Sequence, residues 1–168
     1  MSSRNREACR CTSSARLLAL SDLGIDLAGG RRRAEQAVAD GSALAMYERW
    51  VRAQGGDPAV ESLPVAPVVR EVRAPHAGTV GRLGALAVGI AALELGAGRR
   101  TKSDTIDHAV GVVCQAKRGD RVADGAVLAE IHAADDRSAD TAATAVLAAY
   151  EIGDDEPRKH DILLDVIT

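Results

Sequence analysis

The chain has 168 residues, enough for one domain or for one domain with part of another, and its 46% hydrophobic content supports a packed core. With no Phe, one Trp and two Tyr, that core must be built from Ala, Val, Leu and Ile, and few stacking surfaces remain for bases. A net charge of −3 excludes the excess of clustered Lys and Arg that nucleic-acid binding needs, and no apolar run approaches the roughly 18 to 20 residues of a membrane span.

The first residues, MSSRNREACRCTSSARLLAL, are rich in Arg and Ser like a transit peptide, but the apolar stretch is very short and no small-residue cleavage pattern follows. The expectation is a cytoplasmic chain with a poorly ordered start. Residues 31–39, RRRAEQAVA, suit a short helix with Ala34, Ala37 and Val38 inward, preceded by a Gly29-Gly30 loop. After the break at Asp40-Gly41-Ser42, a second helix is predicted: Ala43, Met46, Tyr47, Trp50 and Val51 fall on one stripe at i, i+3, i+4, i+7 and i+8. Gly55-Gly56 ends it and Asp57-Pro58 prevents its continuation.

Prolines at 64 and 67 mark a change from helical to strand-like composition, so a boundary is expected between a helical segment, 1–66, and a second domain, 67–168. Residues 68–74 and 78–83 read as a pair of short strands around the turn Pro75-His76-Ala77-Gly78. A helix follows, with Leu86, Gly89, Ile90 and Leu93 on one face and Gly96 and Gly98 as its stop. A polar loop, residues 99–108, leads to the apolar run 109–116, then to a turn at 117–120 and another at 124–125, followed by a strand candidate at 126–133. The end reads as a helix over about 138–150, with Ala142, Ala145, Val146 and Ala149 inward, and a final strand over 162–167. The fold class is α+β: short strands broken by helices, after a helical stub too poor in large side chains to bury a core of its own.

Cys9, Cys11 and Cys114 make neither a disulfide framework nor a zinc site, and the four histidines show no ligand spacing, so free thiols, no metal and no cofactor are expected. Gly96-Ala97-Gly98 follows a helix instead of preceding one, which makes it a helix stop and not a phosphate loop.

Three segments are specific in combination: DGSALAMYERWVRAQGGDP (40–58), APHAGTVGRLGALAVGIAALELGAGRRTKSDTID (74–107) and AVGVVCQAKRGDRVADGAVLAEIHA (109–133). In order and spacing they resemble the C-terminal third of thymidine and pyrimidine nucleoside phosphorylases, over roughly residues 17–168. The resemblance implies a C-terminal barrel-like, hammerhead domain with biotinyl- or lipoyl-like strands, preceded by the end of the family's central α/β domain. It also implies a reaction in which phosphate attacks the anomeric carbon of thymidine or a related nucleoside, giving the base and a sugar 1-phosphate. The family's phosphate cradle, a Ser-Thr-Gly-Gly segment after a lysine, and its base-holding Arg, Ser and Lys lie upstream of the matched part. None of these appears here, so the resemblance brings no catalytic residue, and the isolated chain is expected to be inactive. The loop carrying Arg99, Arg100, Lys102 and Asp104 is expected either to face the cleft and help close it, or to be a solvated turn.

The implied partners are a catalytic N-terminal portion or a second copy of the chain; phosphate and pyrimidine nucleoside belong only to the full-length family, and neither nucleic acid nor membrane is expected. Two readings compete with this one. In the first, APHAGTVGRL and KRGDRVADGAVLAEIHA resemble the halves of a biotinyl or lipoyl carrier, but no Met-Lys pair stands between them, and the only methionines are Met1 and Met46. In the second, the chain is a structural or regulatory relative, or a truncated product, that pairs with a separate catalytic chain.

Overall fold

The computed structural model describes residues 12–154. The expected loosely ordered start, Cys9, Cys11, His160 and the strand expected at 162–167 lie outside the described residues. The chain divides into two compact units, 1–62 and 63–168.

The first unit is helical. Residues 12–19 form α1, Leu27–Ala39 form α2 and Ser42–Ala53 form α3, followed by a single 3-10 turn at Val60–Ser62. Helix α2 begins four residues earlier than the Arg run suggested and takes in Gly29 and Gly30 instead of leaving them as a loop. Asp26 is the cause: its Oδ1 accepts the Gly29 amide at 2.7 Å and satisfies one of the donors at the helix start. Gly30 is in the helix because another chain segment passes close by; a Cβ there would lie 2.3 Å from the Ala15 carbonyl oxygen. Val38, expected inward, is exposed. Helix α3 lies where predicted and ends as expected, with the Gly56 amide donating to the Val51 carbonyl at 3.0 Å. Its apolar stripe, however, is not buried: only Val51 is half-buried, while Met46, Tyr47 and Trp50 are exposed.

Among the described residues the second unit holds six strands: β1 (Val68–Arg73), β2 (Gly78–Leu83), β3 (Gly111–Cys114), β4 (Arg121–Val122), β5 (Val127–Ala133) and β6 (Tyr150–Gly153). Helices α4 (Ala85–Ala92) and α5 (Asp136–Ala148) pack with them. The strands form two antiparallel three-stranded sheets, ordered β1-β5-β3 and β4-β2-β6. Among the described residues the sheets are separate and no closed barrel is seen. Strands β1 and β2, neighbours in sequence, do not pair; the turn between them passes the chain from one sheet to the other.

Helix α5 lies across β1 and β5 and against α4. Ala139, Ala142 and Val146, at i, i+3 and i+7, are its buried face, close to the expected one. Asp135 caps it, accepting the Ser138 amide at 2.7 Å, and this bond holds the Asp135 carboxyl below its ordinary range. The guanidinium of Arg70 on β1 donates to Asp140 at 2.6 Å and Asp136 at 2.7 Å, one turn apart on α5. Both acids are well exposed, so the fork sets register more than it adds stability, at about 0 to 1 kcal/mol per pair. Tyr150, expected as the last helical residue, opens β6 instead, because it pairs opposite Leu83 on β2.

Helix α4 is rotated relative to its expected orientation. Ala91 and Leu95 are buried, whereas Leu86 and Ile90 are exposed and an added Cβ at Gly89 would meet nothing. All eight residues of ALAVGIAA are apolar or glycine, so periodicity contains no information on which side faces water. Its last turn widens over Leu93–Ala97 and stops at Gly96, which has φ +102°. A side chain is strained in that region, so Gly96→Ala should lower stability by about 1–2 kcal/mol in urea unfolding; an unchanged midpoint would refute this assignment.

Candidate functional site

The loop singled out in the sequence leaves the end of α4 and returns to it. Its base is closed by the Asp107 amide, which donates to the Gly96 carbonyl at 3.0 Å, and Asp107 Oδ1 in turn accepts the Ala109 amide at 2.9 Å. Within the loop Asp104 is the organiser. Its Oδ2 accepts the amides of Arg100 and Thr101, both at 2.9 Å, and its Oδ1 accepts the Thr101 hydroxyl. The Thr101 hydroxyl and amide, then the Arg100 amide, hold the Asp104 carboxyl below the ordinary carboxylate range. A carboxylate used in this way is a structural acceptor, not a free general base.

The three cations are left on the outside of this frame. Arg100 approaches Glu94 at 3.9 Å, a distance that in open solvent is worth little. Among the described residues Arg99 and Lys102 make no ion pair. Arg99 and Arg100 follow the C-terminal end of α4, where exposed carbonyls favour positive charge. The loop is therefore a preformed basic projection, held by Asp104 and carrying Arg99, Arg100 and Lys102. Sequence reasoning placed all four residues in one loop but did not separate the organising Asp104 from the cations. The Thr-x-x-Asp spacing, in which a side chain can turn back to amides three and four residues earlier, was the available signal.

Glu94 was not anticipated as part of this region. It also lines a cleft of about 190 Å³ with Leu95, Asp135, Arg137, Ser138 and Thr141, at the start of α5. The Ser138 amide there is already engaged by Asp135, and no cluster of metal-binding side chains occurs among the described residues. Gly96 to Gly98 close a helix C-terminus, as expected, and present no row of amides to a phosphate. No helix of the described residues is long and apolar enough to cross a membrane.

Residues 79–153, which run from β2 through β6 and include the loop and both helices of the second unit, match the family profile of the Pyrimidine nucleoside phosphorylase C-terminal domain. Thymidine phosphorylase of Burkholderia orbicola (strain MC0-3) is 37% identical over 146 residues, covering 84% of this chain and 33% of the relative. Pyrimidine-nucleoside phosphorylase of Geobacillus stearothermophilus is 40% identical over 131 residues, 76% of this chain and 30% of the relative. That of Staphylococcus haemolyticus (strain JCSC1435) is 38% identical over 125 residues, 72% and 29%. The chain thus spans about a third of the length of the curated relatives it matches. By the order of its segments, by the domain matched from β2 to β6 and by these identities, the chain belongs, as a C-terminal portion, to the thymidine and pyrimidine nucleoside phosphorylase family.

Proposed function

We propose that the chain is the C-terminal part of a phosphorylase that converts thymidine or a related pyrimidine nucleoside and phosphate to the free base and 2-deoxyribose 1-phosphate. The observation that carries this reading is the match of residues 79–153 to the family's C-terminal domain, with relatives of both names at 37% and 40% identity. In that reaction a phosphate oxygen bonds to the anomeric carbon while the bond from that carbon to the base nitrogen breaks. Its electron pair goes to the base, which is then protonated. The chemistry requires an anion cradle and donors aimed at the departing base. Neither set is recognisable in this chain, and the share of the relatives that it spans supports their being supplied by a preceding catalytic portion.

On this reading the helices up to residue 66 are the end of the central α/β domain and residues 67–168 are the C-terminal domain, a division supported by the compact units that part after Ser62. The basic loop contributes to closing the cleft: Asp104 holds its shape, and Arg100 and Lys102 face the partner surface or the bound anion. A cytoplasmic setting, in which Cys114 stays a thiol, belongs to the same proposal.

The test is phosphate-dependent thymine release by the purified chain, alone and mixed with the remaining N-terminal two thirds of the Geobacillus relative. The expected result is no release by the chain alone and release by the mixture; turnover by the chain alone, or none by the mixture, would contradict the proposal. In the active mixture, Arg100→Ala combined with Lys102→Ala should raise KM about 2- to 10-fold, as the loss of ~0.5–1.5 kcal/mol would. An unchanged KM would remove the loop from cleft closure.

A further inference from the structure

The sheet β4-β2-β6 carries a short polar row at one end. Thr79 on β2 stands opposite Arg121 on β4 and opposite Gly153 on β6, so the two side chains and the space where Gly153 has none fall on one face. Two antiparallel steps put the outer strands of the row roughly 10 Å apart. With Gly78 and Asp154, the row lines a cleft of about 320 Å³. Its glycines make the room. An added Cβ at Gly153 would meet nothing, whereas one at Gly78 would lie 2.8 Å from the Ile152 side chain and 2.9 Å from the Gly153 carbonyl oxygen, so β2 and β6 approach closely only without it. The polar groups in the cleft are uncommitted. Thr79 is only 3% exposed, and its hydroxyl makes no hydrogen bond among the described residues. The only sealed and unpartnered side-chain polar atom among the described residues is Arg16 Nε, so the Thr79 hydroxyl keeps an opening, and the space it lines is this cleft. Of the guanidinium groups around β2, Arg82 is held by Glu151 at 2.7 Å and Arg118 donates to the Gly81 carbonyl at 3.0 Å. Arg121 makes neither kind of bond with its side chain among the described residues, and nor does Asp154.

We propose that this cleft binds a small phosphorylated sugar, with the phosphate on Arg121 and the Thr79 hydroxyl and a sugar hydroxyl on Asp154. A guanidinium presents paired N–H donors that match two oxygens of a phosphate, and a neighbouring hydroxyl adds a third donor. An ionised carboxylate only accepts, so at the other end of the row it takes a hydroxyl and repels a second anionic group. With these groups carried on strands roughly 10 Å apart, the cleft suits a ligand that is anionic at one end and hydroxylated at the other. A phosphorylated pentose has that form, whereas a bare anion uses only half of the cleft. The ligand is held and not converted, and the site does not depend on the reaction proposed above.

The full chain, isotope-labelled for NMR, is titrated with ribose 5-phosphate, with inorganic phosphate and with ribose. The expected result is a set of saturable amide shifts at Thr79, Arg121 and Gly153 with ribose 5-phosphate, with inorganic phosphate bound about ten-fold more weakly and ribose not bound. Arg121→Gln should weaken ribose 5-phosphate by about ten-fold with circular dichroism unchanged, since Arg121 is exposed. Gly153→Val, which puts a side chain into the open space, should abolish binding, and Asp154→Asn should narrow the difference between the ester and inorganic phosphate. The proposal is overturned if no saturable shifts arise at these three amides, or if Arg121→Gln or Gly153→Val binds as the wild type does. Inorganic phosphate bound as tightly as the ester would overturn the sugar as the ligand. Thymine release by the mixture described above should be the same with Arg121→Gln, so failure of this site and failure of the proposed reaction are read separately.

Discussion

Leu128→Ala should destabilise the second unit by about 2–5 kcal/mol, towards the upper end of that range. Leu128 has no exposed surface, and neither do Val80, Ile131 and Val146, the other large side chains at the centre of the cluster. Removing a buried leucine loses its transfer free energy and leaves a cavity whose cost depends on how far the walls can relax. Here they relax poorly. The chain contains no Phe, and the buried cluster around it is mostly Ala and Val, short or branched side chains with little freedom to swing into the space. The Leu128 carbonyl also accepts the amides of Gln115 and Ala116, at 2.8 and 3.0 Å, which restrains the backbone from collapsing inward. Urea unfolding monitored by circular dichroism gives the loss directly. Val69→Ala, on the exposed face of β1, is the control and should change stability by no more than about 0.5 kcal/mol. A loss below ~1 kcal/mol at Leu128 would mean that the core is not centred on β5.

The second large effect is a loss of stability in alkali, set by Tyr150. Its hydroxyl lies 3.0 Å from the Ala116 carbonyl oxygen and 2.9 Å from that of Leu128, so a residue of β6 reaches the chain beside β3 and β5. Two carbonyl oxygens suit a neutral hydroxyl that donates and oppose a phenolate. Burial, and then the nearby Cys114 and Asp120, push the ionisation of Tyr150 well above its ordinary value of about 10. The unfolded chain loses this proton near pH 10, whereas the folded chain keeps it. Between that pH and the higher folded value the native state binds one more proton than the unfolded state. Stability is therefore complete below pH 10 and declines above it, by about 1.4 kcal/mol per pH unit. Tyr150→Phe should remove this slope and cost about 0.5–1.5 kcal/mol at neutral pH for the lost bond. If wild type and Tyr150→Phe showed parallel alkaline profiles, Tyr150 would not be the group responsible.

Turn chemistry made much of the second unit legible. Lys117 to Asp120 and Asp124-Gly125 close where Gly and Asp predicted, and the apolar segments before the first and after the second are strands β3 and β5. The aliphatic alternation of 126–133 and the Ala-rich period of 138–150 marked β5 and α5 to within two residues. Strand pairing was not legible. Nothing local indicates that β1 and β2, joined by a short turn, belong to different sheets, or that the two residues of β4 pair with β2. The orientation of α4 was hidden for the opposite reason, an excess of apolar residues with no polar side to define an outside. In the loop, four residues of the right types were visible as a group, but the division between Asp104 as organiser and Arg99, Arg100 and Lys102 as projecting charge depends on which amides the carboxylate reaches.

By itself, the sequence determined the α+β class, most element positions, the glycine stop of α4 and the family, because these rest on local periodicity, turn residues and ordered segments. Tertiary structure decided what is buried. The stripe of α3 has the period of a core-facing helix, yet in this chain it meets solvent, since amphipathicity records that a face must be covered and not what covers it.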